Sequence, residues 1–74
     1  MQTFTNIEKT REKMRRDALE GELIGLEEAA ERAREAGMIA LERGRESLAA
    51  AEFELAEVYE GLRARKTAEL EAMR

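Results

Sequence analysis

From residue 19 onward, apolar and small residues recur in alternating steps of four and three: Leu19, Leu23, Leu26, Ala30, Ala33, Gly37, Ala40, Gly44, Ser47 and Ala51. A mean step of about 3.5 residues marks a helix seam that faces another helix. Beyond Ala51 the far flank continues through Leu55, Val58 and Leu62. The middle of the line holds only Ala, Gly and Ser, and such side chains let two helix backbones approach near the lower end of the usual separation of about 8 to 10 Å. Large ends around a small centre near Ala40 suit an antiparallel crossing. Leu41, Leu48, Leu55 and Leu62 form a second line at intervals of seven, which widens the apolar face to one suited to a bundle. Phe53 and Tyr59 lie near this face and read as core anchors.

The first twenty residues keep a different phase. Phe4, Ile7, Met14 and Ala18 make a stripe whose next places fall on Glu22 and Gly25. That change of phase predicts a joint at Gly21 and Gly25, with Gly21 as a C-terminal cap and Arg15 and Arg16 in the preceding turns. Thr5 and Glu8 have the spacing of a capping box, which starts a first helix at Thr5 or Asn6. Downstream, no Ser, Thr, Asn or Asp occurs between Asp17 and Ser47. A turn at Gly37 would leave the next helix without a capping side chain, whereas Gly44 can end one helix and Ser47 can cap another. The pattern therefore predicts one all-α domain over residues 1–74: a short helix at about 6–20, then a helical hairpin with arms at about 22–43 and 47–73. One long helix over 22–74 is the alternative, because the seam stays in phase through Gly44, and a turn at Gly37 ranks third. The whole is expected to assemble as an antiparallel homo-oligomeric helical bundle.

Composition strengthens the helical reading. Ala, Glu, Arg, Leu and Lys make up 50 of the 74 residues, there is no Pro, and Val, Ile and Thr number eight. Such a chain builds long helices and has too few β-branched residues for several strands. Charge divides it: residues 1–16 carry five basic side chains against two acidic, a balance of +3, and the remainder carries eight against 15, a balance of −7. A basic head sits on an acidic body.

The missing residue types narrow the chemistry. Without Cys or His there are no disulfides, thiolate nucleophiles or usual zinc sites, nor the side chain best suited to proton transfer near neutral pH. Ser47 is the only serine and Asp17 the only aspartate, so a Ser/His/Asp arrangement cannot form. Glu54, Glu57 and Glu60 could hold Mg²⁺ weakly, but glutamates at helical spacing usually form a solvated face. No activity as an enzyme and no cofactor is expected. No run approaches the roughly 20 apolar residues of a membrane span, and the start of the chain lacks the features of a signal peptide, so a cytoplasmic location away from membranes is expected.

Gly37, Ala40, Gly44, Ala49, Phe53 and Ala56 fall at the spacing of the small and aromatic positions of a helix-turn-helix repeat, and residues 30–63 resemble a single tetratricopeptide repeat. Ala33 and Ala36 are small where that pattern has large residues, Glu46 replaces an aromatic, and Gly61 stands where proline is common. The resemblance covers less than half of the chain and implies a helical hairpin turning at Gly44. A groove of the family's kind needs about three repeats and is not implied.

A chain of this size buries only about 60% of its unfolded surface, and this one has few large apolar residues, so self-association is the expected route to stability. The positions expected to carry it are Leu26, Ala30, Ala33, Gly37, Ala40, Gly44, Ala51, Leu55, Val58 and Leu62. The leading functional expectation is a small interaction module, such as an adaptor, inhibitor or accessory subunit, that self-associates and binds a larger protein. A second is an oligomer that captures a phosphate-bearing small ligand with Lys9, Arg11, Lys13, Arg15 and Arg16, the candidate contacts for an anion or a partner. Small phage-encoded helical proteins that sequester nucleotide signals have a similar size. Nucleic-acid binding by the same head ranks third, since the net charge is −4 and no aromatics interleave with the basic residues.

Overall fold

Two helices, α1 over Gln2–Glu42 and α2 over Glu46–Ala72, fold back on each other as an antiparallel hairpin in the computed structural model, which describes residues 2–73 and their side chains from residue 6. The hairpin is thin and long, 65 × 15 × 12 Å. Its turn is residues 43–45, at the place the caps predicted. Gly44 takes a φ of +72°, the left-handed setting that closes a helix and that a side chain would resist. Its N–H donates to the Leu41 carbonyl at 3.0 Å, and the Arg45 N–H donates to the Ala40 carbonyl at 2.8 Å. These are the two bonds of a Schellman closure. The Arg45 carbonyl at once accepts from the Ala49 N–H at 3.0 Å, so α2 begins without delay.

Ser47 therefore does not cap α2. The cap position is Arg45, which makes no side-chain capping bond, and Ser47 already lies within the first turn. Two further expectations are corrected. The separate helix at about 6–20 does not exist: α1 runs unbroken through Gly21 and Gly25. Two helical glycines cost only about 1 kcal/mol each relative to alanine, whereas a joint would strand several backbone groups. The helix also starts before the proposed capping box, so Thr5 and Asn6 are inside it; the side chains of Phe4 and Thr5 lie outside the described residues. Thr10 instead turns its hydroxyl back to donate to the Asn6 carbonyl at 2.7 Å.

Small residues draw the arms together. On α1 the covered positions are Leu19, Ala30, Ala33, Gly37 and Ala40, and on α2 they are Ala49, Ala56 and Leu70. At Gly37 the Phe53 ring rests on the backbone itself: a Cβ there would stand 2.7 Å from the ring's Cε1 and 2.9 Å from its Cζ. The absence of a side chain at residue 37 is what seats the ring. Glu22 beside Lys66, Arg34 beside Glu60 and Gly37 beside Phe53 step along the hairpin in the order antiparallel pairing requires.

Candidate functional site

Because the chain reverses at residues 43–45, the seam counted straight through Gly44 does not stay on one face. Before the turn it behaves as the spacing predicts, with Leu26 half-buried and Ala30, Ala33, Gly37 and Ala40 buried against α2. Gly44 itself is in the turn. After it, the line facing α1 is Ala49, Glu52, Ala56, Tyr59, Lys66 and Leu70, all buried or half-buried. Ala51, Leu55, Val58 and Leu62 are exposed. The physical reason is rotational: a Schellman closure resets the helical phase, so a count at 100° per residue cannot be carried across it.

The line of four leucines is divided by the same turn. Arg34 and Glu60 pair along one edge of the hairpin. Leu41, one heptad after Arg34, belongs to that edge. Ala29, Ala33 and Ala36 meet Leu55 and Tyr59 in a shallow cleft along the other edge. Leu48 and Leu62, one heptad either side of Leu55, belong there. Along that edge and outward from it, α2 thus carries a five-position stripe, Leu48, Ala51, Leu55, Val58 and Leu62, uninterrupted by charge. Its four large members expose 46%, 41%, 56% and 37% of their surface. Elsewhere the exposed apolar residues Ile24 and Met38 are separated by Glu27, Glu31 and Arg34.

The basic head lies at the other end. Ala72 and Met73, where α2 stops, share a cleft with Arg11, Glu12, Arg15 and Arg16. At about 1.5 Å per residue, α1 runs on roughly 15 Å past that point as a single helix. Lys9, Arg11, Lys13, Arg15 and Arg16 are all exposed, as are Ile7 and Met14. Lys13 makes a 4.0 Å pair with Asp17 on its own helix. Arg11, Arg15 and Arg16 are brought together, while Lys9 and Lys13 do not line that cleft. Beside the last carbonyls of α2, the arginines sit where a helix end favours cations.

Two ion pairs between the arms were beyond sequence reasoning, since each depends on the register of the hairpin. Arg34 pairs with Glu60, and the Lys66 ammonium stands 2.8 Å from a Glu22 carboxylate oxygen. The hydrogen bond to Glu22, reinforced by that carboxylate's charge and more weakly by Glu69, raises the Lys66 pKa above the ordinary lysine value; desolvation opposes it. Among the described residues no group of three or more acidic side chains is placed to hold a metal ion, and no helix is long and apolar enough to cross a membrane. Comparison with protein-family models, curated proteins and solved structures finds no match.

Proposed function

We propose that the chain is a small non-enzymatic helical interaction module that self-associates through its hairpin and engages a larger protein with its N-terminal arm. The observation that carries this reading is the exposed N-terminal part of α1: Arg11, Arg15 and Arg16 gather at the end of α2, and the helix runs on past them with Lys9 and exposed Ile7, while exposed Met14 lies beside the arginines. A helix that projects with both charge and apolar surface suits an acidic protein groove, where arginine forms directed pairs with carboxylates and apolar residues supply buried area. Immobilised chain should retain such a partner at low salt and release it near 1 M salt. The combined Arg11→Glu, Arg15→Glu and Arg16→Glu variant should fail to retain it. Equal retention by that variant would rule the arm out.

A phosphate-bearing small ligand is the second reading, favoured by the convergence of Arg11, Arg15 and Arg16 on one cleft. Glu12 shares the cleft and would repel an anion. A nucleoside triphosphate at millimolar concentration should raise the melting temperature under this reading and leave it unchanged under the first.

A further inference from the structure

We infer that the outer stripe of α2 is covered by a second copy of the same chain, the two α2 helices packing antiparallel about a two-fold axis at Leu55. This rests on the self-association part of the reading above and adds the surface and the geometry. The first support is area. The hairpin exposes 6018 Å², whereas a compact monomer of 8.4 kDa exposes about 4,600 Å². The surplus, about 1,400 Å², exceeds the roughly 800 Å² that each partner contributes to an ordinary interface. No large side chain among the described residues is fully buried within one hairpin, and the four large members of the stripe stay between 37% and 56% exposed.

The second support is the order of residues. Read from either end, the stripe runs large, smaller, large, smaller, large: Leu48, Ala51, Leu55, Val58, Leu62. A surface that reads alike in both directions is what an isologous two-fold contact requires. With the axis at Leu55, that residue meets its own counterpart, Leu48 meets Leu62 of the second copy, and Ala51 lies beside its Val58. The cleft in which Ala29, Ala33 and Ala36 meet Leu55, lined also by Arg32 and Glu52, adjoins the stripe and leaves room for incoming side chains.

Charge selects the direction. Residues 46–60 contain five glutamates and no basic residue, and Arg63, Arg65 and Lys66 follow. Antiparallel copies set Arg63 and Arg65 of each on either side of the other's Glu46. Parallel copies would instead set Glu46 against Glu46 and the cluster of Arg63, Arg65 and Lys66 against itself.

Light scattering on the eluting full chain should give twice 8.4 kDa, and Leu55→Lys should halve that mass while circular dichroism stays helical. Ile24→Lys, on the charge-broken face, should leave the mass unchanged. Direction is read by oxidation of introduced thiols, each unique because the chain has no Cys. Leu48→Cys mixed with Leu62→Cys should cross-link, and neither should cross-link alone. A dimer that survives Leu55→Lys, with no mixed cross-link, overturns this surface while sparing self-association. Cross-linking of Leu48→Cys to itself overturns the antiparallel geometry. A wild-type mass of one chain at every concentration overturns both this inference and the self-association reading.

Discussion

Leu55 and Ala56 are adjacent in the chain and opposite in surroundings: the leucine is 41% exposed and the alanine 3%. The same contrast runs along all of α2, whose inner line is built on Ala49 and Ala56 and whose outer stripe carries Leu48, Leu55, Val58 and Leu62. Hairpin closure therefore depends on closeness of backbones, with many short van der Waals contacts and one aromatic ring laid on a glycine. The larger hydrophobic payload is left outside. Fold and assembly draw on different residues of one helix, so it should be possible to damage one and spare the other.

The strongest way to break the inner side is at Gly37. Gly37→Leu forces the Phe53 ring off the backbone, and unfolding by urea should show a loss of roughly 3 kcal/mol or more, the upper end for overpacking. Next comes the direct contrast between neighbours. Ala56→Leu should cost about 1 to 3 kcal/mol of hairpin stability. Leu55→Ala, in a monomer, should stay within about 0.5 kcal/mol of the parent. Equal losses would show that both faces of α2 belong to one core. Gly44→Ala should cost about 1 kcal/mol, because alanine resists the left-handed setting at the turn.

Away from both faces, Gly21→Ala should raise stability by about 0.5 to 1 kcal/mol, since nothing lies within 4 Å of the added methyl. A loss there would reveal a close neighbour that only the assembled form possesses. The smallest effect concerns pH. The folded pKa of Lys66 is raised, so the stabilisation from its pair with Glu22 is fully present below the ordinary lysine value and disappears as pH climbs through the raised one. Melting curves taken through that alkaline range should fall slightly more for the parent than for Lys66→Met.

Much of the architecture could be read from spacing. The helical class followed from composition, and the pattern places the turn first at Gly44, which closes α1 although Ser47 does not cap α2. The joint expected at Gly21 was misplaced because a change of apolar phase has two causes. It can mark a break in the helix, or it can mark the limit of what a neighbour covers. Here the seam begins at Leu19 because α2 ends nearby, while the residues before it belong to an arm with no second helix beside it. The five basic residues of the head were legible, but only the fold brings Arg11, Arg15 and Arg16 to the end of α2.

The sequence by itself determined that this chain is helical and that alanine and glycine would line one contact, and it ranked Gly44 first among the places to turn, since these depend on local backbone preference and on the size of side chains at a fixed helical period. Only the tertiary structure decided which apolar line of α2 turns inward. Both lines repeat every seven residues, one a single position ahead of the other, and their periodicity is the same. The rotation introduced at Gly44 chose between them, placing the small line against α1 and the large line in solvent.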